Sequence, residues 1–299
     1  MSPFPDPAIV KEIRVHTNPV TDALGRPLRL AVIGGGPGSF IGATHRAAAR
    51  LDGRYEIVAG CISSDPTTSV AGAGAVGIDA SRAYGDPVEM LDAEAARDDG
   101  AEVVAIMTPN DSHYAYSMAA LARGFDVICD KPITNTLDEA RAIDDMVATS
   151  GLVFCLTHNY TGYPLVRQAR AMVDDGSLGE IRLVQVEYVQ GGKASEDDPD
   201  PSEGLPWRFD PVRGGPSLVM GDIGTHAHNL LRFITGREVA EVAAEVGTIM
   251  PGGTVHDHAG AMLRLDNGAR GSFWVTQAAA GVENCLRIRV SGAEGSLEW

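Results

Sequence analysis

"LRLAVIGGGPGSFIGATHRAAARL", residues 28–51, is the stretch whose reading decides the fold. A short apolar run, Leu28 to Ile33, is stopped by three glycines, and an Ala- and Arg-rich segment that favours helix follows from Gly42. Strand, glycine turn and helix in succession let the backbone approach a pyrophosphate, whose charge the helix N-terminus then holds. Gly34, Gly36 and Gly38 are expected to line that turn, and Phe40 and Ile41 after it to join them in binding the cofactor. The spacing departs from G-x-G-x-x-G, because Gly42 comes late and the turn is one or two residues longer. Any tight strand-to-helix turn would use glycine. The weight of this one lies in its position on the first strand of an alternating pattern.

Outward from the turn the alternation continues. "YEIVAGCIS" (55–63), "AEVVAIMTPN" (101–110), "FDVICDKP" (125–132) and "LVFCLTHN" (152–159) read as strands, and 86–100, 111–124 and 136–151 as helices, the first opened by Asp86-Pro87. Apolar strands alternating with helices imply a parallel sheet covered on both faces. After a further helix, 163–179, the rhythm changes. "EIRLVQVEYVQ" (180–190) is a long strand, and 239–249, 258–266, 269–280 and 283–292 follow as strands joined by turns such as Asp266-Asn267-Gly268. That is a second domain built on a mostly antiparallel sheet. "GAEGSLEW" (292–299) opens one more strand, so this sheet reads as unfinished. Between the two parts, the acidic, Gly- and Pro-rich segment 191–216 is a long loop, expected to be mobile over 193–204 and ordered over 205–216.

Composition excludes several classes. The net charge of −16 disfavours nucleic-acid binding. No apolar run approaches the roughly 18 residues of a membrane helix, and the N-terminus has no secretory h-region. Cys61, Cys129, Cys155 and Cys285 show no metal-binding spacing and are expected to be buried, reduced thiols of a cytoplasmic protein. Two His-x-His pairs, His226/His228 and His256/His258, lack an acidic ligand pattern to complete them, so no metal is expected. His256 and Asp257 read better as turn residues than as pocket lining.

Chemistry concentrates at the ends of strands. After the second strand, Ser63 and Ser64 hold the position that contacts the adenosine ribose. Asp65 has two readings, ribose ligand or cap of the next helix. No arginine follows closely, which favours NAD over NADP. "TPNDSH" (108–113) and "DKPIT" (130–134) each close a parallel strand, where open α/β sheets bind ligands. Lys131 is held in extended backbone by Pro132. In "GDIGTHAHNLLRFITG" (221–236), Asp222 and His226 stand four apart and share a helix face. Trp207 and Arg208 carry the chemistry of a sugar clamp, and equally that of a loop anchor.

Taken in order, "IGGG…GATH", "TPNDSH", "DKP" and "GDIGTH" resemble the Gfo/Idh/MocA oxidoreductases over nearly the whole chain from about residue 28, with segments 158–170 and 207–215 closest to the branch acting on sugars and glycosides. The resemblance implies an α/β Rossmann domain followed by an α+β domain with an open, mostly antiparallel sheet. The boundaries would be an extension at 1–27, a dinucleotide-binding domain at 28–158 and a substrate and oligomerisation domain at 159–299. It implies NAD, with NADP the alternative, and hydride transfer from a secondary hydroxyl of a sugar, glycoside or cyclitol. Lys131, Asp222 and His226 become the catalytic set, Asp222 orienting His226 and stabilising its charged form. Thr108, Pro109, Asn110, His113, Asp130, Lys131 and Pro132 would join the glycine turn and Ser63–Asp65 around the cofactor. His158, Asn159, Tyr163, Trp207, Arg208, Asp222 and His226 would meet substrate. The expected assembly is a homo-oligomer through the second sheet, without membrane or nucleic acid. Two other readings stand beside this one: a non-catalytic dinucleotide-binding sensor of the same fold, and transient oxidation by tightly held NAD leading to elimination or glycoside cleavage.

Overall fold

The computed structural model describes residues 18–194, 199, 202 and 204–299. These fall into two compact units. The first takes the described residues up to Met107 with Ala119–Val127, and the second takes Thr108–Met118 with Ile128–Trp299.

Strands β1 (Leu28–Gly34), β2 (Tyr55–Cys61), β3 (Val103–Met107), β4 (Asp126–Cys129) and β5 (Phe154–Leu156) form one sheet in the order β2-β1-β3-β4-β5. β1 pairs in parallel with both β2 and β3. The winding therefore reverses at β1, and the carboxyl ends of β1 and β3 mark the switch point where such sheets bind ligands. Every residue of β3 is buried, as a strand covered on both faces requires. The connecting helices are α1 (Pro19–Leu24), α2 (Phe40–Leu51), α3 (Pro66–Gly72), α4 (Pro87–Ala95), α5 (His113–Leu121) and α6 (Leu137–Ser150). Asp65 and Asp86 cap α3 and α4, each followed by proline at the first helical position. Residues at the end of the expected extension belong with this unit: Asn18 donates to the carbonyls of Asp52 and Gly53, and Arg26 pairs with Glu102 at 2.7 Å.

In the second unit, α7 (Pro164–Asp174) and α8 (Thr225–Thr235) accompany strands β6 (Ile181–Val189), β7 (Val239–Gly247), β8 (His258–Leu265), β9 (Arg270–Thr276), β10 (Cys285–Gly292) and β11 (Ser296–Glu298). The sheet order is β11-β10-β6-β9-β8-β7. Its neighbours are antiparallel except for the central pair β6–β9, which is parallel. Val166 and Ala169 of α7 and Leu230, Leu231 and Ile234 of α8 pack with Val184, Val186, Val275, Ile288 and Val290 of the sheet. The helical spacing puts each set on one stripe, and each buried aliphatic side chain contributes about 1.5–3 kcal/mol. Leu183, Val242, Met262 and Trp274 are exposed.

One expectation is corrected. Cys61 and Cys129 are buried, but Cys155 is exposed and Cys285 half-buried. Cys155 lies on β5, an edge strand with a shorter run than the sequence suggested. Helix α3 follows Asp65 directly; "TTSVAG" has poor helix propensity and relies on its Asp65-Pro66 start. The expected mobile stretch, 193–204, lies largely outside the described residues; Lys193 at its start is buried with its ammonium 4.3 Å from the Phe209 ring centroid. No helix among the described residues is long and apolar enough to cross a membrane.

Candidate active site

In the first unit the working surface is backbone. Gly34, Gly35 and Gly38 have φ of 81°, 70° and 83°, a region that side chains other than glycine's rarely enter. A Cβ on Gly42 would lie 2.2 Å from the Gly35 carbonyl oxygen, and one on Gly36 would lie 2.8 Å from that of Ile62. Gly42, which the sequence reading did not assign to the cofactor, is thus the tightest position of the turn, and the unassigned Gly35 is the residue it packs against. The run of three glycines hides which of them the turn needs. Ser39 caps α2 by accepting from the Gly42 amide, and Arg46 donates to the Gly35 carbonyl. The amides of Phe40 and Ile41 belong to the first helical turn, where no preceding carbonyl can pair them. Phe40 is 86% exposed. Free amides behind a wall of hydrogen atoms suit a pyrophosphate, so this unit fits a dinucleotide. At the end of β2, Asp65 takes the cap reading: its carboxylate accepts from the Thr68 amide at 2.7 Å. Ser63 accepts from the Asp65 amide, and Ser64 is exposed.

In the second unit, three of the assigned cofactor residues are structural braces. His113 has no exposed surface, and its ring nitrogens lie 2.8 Å from the Pro132 carbonyl and 3.0 Å from that of Thr108. With both nitrogens facing backbone, it ties "TPNDSH" to "DKP" and presents nothing to a ligand, which corrects its assignment. Asn110, also buried, donates to the Gly214 carbonyl at 2.9 Å, and Asp130 accepts from the Thr157 hydroxyl at 2.8 Å. Pro109 precedes the short turn Asn110–Ser112, and Thr108 accepts from the Ser112 hydroxyl. The Lys131–Pro132 peptide is cis.

Lys131 reaches the segment Met220–Gly224, a π-helical turn that runs into α8. Such turns recur at functional sites. The Lys131 ammonium donates to the Asp222 carboxylate at 2.8 Å and to the Asp222 carbonyl at 2.6 Å. Gln277 donates to the other carboxylate oxygen at 2.9 Å, and the Arg208 guanidinium stands 3.9 Å from it. Burial opposes ionisation of Asp222, but Lys131, Arg208 and the donors on both oxygens outweigh it and hold the carboxyl below its usual range.

His226 differs from expectation. Its side chain is buried, and no hydrogen bond joins it to Asp222 among the described residues. The stronger partner, a lysine cation at contact distance, takes the carboxylate. The imidazole lies instead among rings: Tyr160, His158 and Tyr188 have centroids 5.1, 5.4 and 6.2 Å away. Burial, then the Lys131 charge, then His158 push it down to about 3, against the pull of Asp222. The same first two causes bring His158 to about 4. Both are neutral imidazoles, so Asp222 neither aims His226 nor charges it.

Around them runs a chain of side chains that motif reading did not reach. Gln277 donates to the Gln190 side-chain oxygen at 3.2 Å, Gln190 to Asn284 at 2.8 Å, and Asn284 to the Tyr160 hydroxyl at 3.1 Å. Tyr188 donates to Asn284 at 2.7 Å and lies 2.6 Å from the Tyr160 hydroxyl. Sheet register assembles them. Val189 pairs with Thr276 on β9 and with Cys285 on β10, so Gln190, Gln277 and Asn284, each one residue beyond a strand end, meet at one edge. Tyr163 stacks on Tyr160 at 5.8 Å, and Asn159 is exposed beside them. Arg208 lies over the Trp207 ring at 5.2 Å and on the Asp222 side, where a clamp would need it. Asp257 accepts from the amides of Ile249 and Met250, and His258 opens β8 and packs on Trp274, so His256 and Asp257 lead into a strand. No group of three potential metal ligands gathers among the described residues.

Comparison with known proteins agrees with this geometry. Residues 28–158 match the model of the oxidoreductase family with an NAD-binding Rossmann fold, and residues 166–298 match that of the GFO/IDH/MocA C-terminal domain. The chain is 34% identical over 282 residues to the uncharacterized oxidoreductase YfiI of Bacillus subtilis, covering 92% of this chain and 71% of that protein. It is 32% identical over 218 residues to the levoglucosan dehydrogenase of Pseudarthrobacter phenanthrenivorans, covering 65% and 54%. Among solved structures, an inositol dehydrogenase homolog complexed with NAD+ from Azotobacter vinelandii superposes with a TM-score of 0.85 at 35% identity, covering 92% of this chain and 71% of that one. With a dinucleotide turn on its first strand, a lysine–aspartate pair beside a neutral histidine, and both family models matched, the chain belongs to the Gfo/Idh/MocA oxidoreductases.

Proposed function

We propose that the protein is an NAD-dependent dehydrogenase of a secondary hydroxyl on a sugar, glycoside or cyclitol. The observation that carries this reading is the Lys131–Asp222 ion pair at 2.8 Å beside a buried, neutral His226. Alcohol oxidation needs a group to favour developing alkoxide and a group to take the hydroxyl proton. Lys131 does the first, its ammonium fixed by Asp222 through the carboxylate and the carbonyl. His226 does the second at Nε2, because Nδ1 is buried without a partner. As negative charge develops on the substrate oxygen, it opposes the effect of Lys131 and makes the imidazole a better base. NAD, when bound, supplies the hydride acceptor. Tyr163, Trp207 and Arg208 offer aromatic surface and a guanidinium, the chemistry that recognises a polyol ring.

Substrates of the relatives support the class. The test is reduction of NAD and NADP over a panel of free sugars, glycosides and inositols, with Lys131→Ala and His226→Ala alongside wild type. NAD reduction should exceed NADP reduction, and each substitution should lower turnover by about 10²–10⁴-fold. Equal turnover in all three would remove the catalytic assignment, and product formed without net NAD reduction would favour elimination. The four free thiols are consistent with a cytoplasmic setting. We also propose a homo-oligomer formed through the exposed residues Leu183, Met262 and Trp274, which the register places on one face of the second sheet. Light scattering after size exclusion should show more than one chain for wild type and a single chain for Met262→Glu with Trp274→Glu.

A further inference from the structure

Asp222 carries two oxygens, and the groups facing them come from four elements. Lys131 follows β4, Arg208 lies in the loop before α8, Gln277 follows β9 and Tyr188 stands on β6, while His226 lies on α8 itself. Gln277 is the uncharged member that touches the carboxylate directly, and its side chain is buried. An ionised carboxylate only accepts, so the Gln277 amide must turn its nitrogen toward Asp222 and its oxygen away. That oxygen is buried and has no partner. A buried amide with half its hydrogen-bonding capacity unused is a poor choice for stability alone. The backbone holds it in place from both sides: its amide donates to the Asp257 carbonyl at 2.9 Å, and its carbonyl accepts from the Lys193 amide at 2.8 Å.

The orientation propagates. With its nitrogen toward Asp222, Gln277 can donate again to Gln190, which then donates to Asn284, which donates to Tyr160. Tyr188 also donates to Asn284, so the bond between the two phenols runs from Tyr160 to Tyr188. An acceptor-only carboxylate at one end thus sets the direction of every amide up to the tyrosines that flank His226.

We propose that Gln277 is a positioning residue: by holding the second oxygen of Asp222, it commits the carboxylate to Lys131 and keeps it off His226. This rests on the dehydrogenase reading for its catalytic meaning, though its geometry can be tested without turnover. Gln277→Met removes the donor, and Gln277→Glu replaces it with a second carboxylate at nearly unchanged shape. Asp222 is followed by carbon-detected NMR on protein with ¹³C-labelled aspartate, assigned with Asp222→Asn. The Asp222 midpoint should rise in Gln277→Met and rise further, by about one pH unit or more, in Gln277→Glu, where like charges share the site. The acid limb of kcat/KM should move in the same order. A packing role gives the reverse order, because glutamate matches glutamine in shape better than methionine does. No shift in either variant, or a larger one in Gln277→Met, overturns the proposal. Should Gln277→Met fail to fold, the Glu–Gln comparison decides alone. Turnover that survives Lys131→Met would defeat the proposed chemistry, while the NMR order would still decide the role of Gln277.

Discussion

The two units build their sites from opposite materials. At the end of β1 the chemistry is in what is missing: glycines at positive φ, a Gly42 that leaves the Gly35 carbonyl room, and helix amides without side chains in front. Around Asp222 it is in side chains, with Lys131, Gln277, Arg208, His226 and the tyrosine pair each brought from a different element. A backbone site is local, set by about fifteen consecutive residues. A side-chain site is distributed and depends on which strand lies beside which. The first should break all at once, and the second in graded and separable ways.

Gly42→Val is the sharpest way to break the first. A Cβ 2.2 Å from the Gly35 oxygen cannot be relieved by a rotamer change, because the backbone alone fixes where a Cβ sits and the oxygen is itself a backbone atom. NADH affinity, read by fluorescence titration, should fall by about 100-fold or more, equivalent to about 2.7 kcal/mol. Retention of wild-type affinity would mean that this turn does not hold the dinucleotide.

His226 probes the cost of burying the second site. Its folded value of about 3 lies below the ordinary 6.5. Between these values the unfolded chain binds a proton that the folded one does not, so stability is fully present above about pH 6.5 and declines as pH falls toward 3. Urea unfolding at pH 7 and 4.5 should show His226→Phe losing about 2 kcal/mol less than wild type over that interval. An unchanged pH slope would show that this imidazole is not desolvated. His158 acts with the same sign, which keeps some slope in the variant.

Arg208→Ala should have the smallest effect. Arg208 is more than half exposed and 3.9 Å from Asp222, so solvent screens it. KM for the polyol should rise about three- to tenfold, with NAD affinity nearly unchanged. If NAD binding weakened as much as substrate binding, Trp207 and Arg208 would be a connector and not a clamp.

The same contrast explains what could be read beforehand. The alternating half was legible because its strands, buried on both faces like β3, leave unbroken apolar runs. Lys131, Asp222 and His226 stand out in the sequence as candidates because each sits in a short stretch with its own signature. The relation between the last two was misread, since four-residue spacing on a helix says nothing about a lysine from another segment. Gln190, Gln277 and Asn284 had no signal at all. They meet only through the pairing of β6 with β9 and β10, and strand register is not written in any one strand. His113 looked like a ligand contact because its position beside a strand end is right, while its burial shows only in three dimensions.

The parallel pairing of β6 with β9 also bears on how the chain is made. Val186 finds its partner Phe273 only after nearly ninety further residues have left the ribosome, and Ile288 on its other side comes later still. At roughly 5–20 residues per second, that leaves the central strand of the second sheet unpaired for roughly 5–20 s of synthesis. The β1–β3 core is complete much sooner. The nascent chain thus carries a folded dinucleotide-binding head ahead of a strand still waiting for its neighbours, and that interval is when a chaperone would have most to hold.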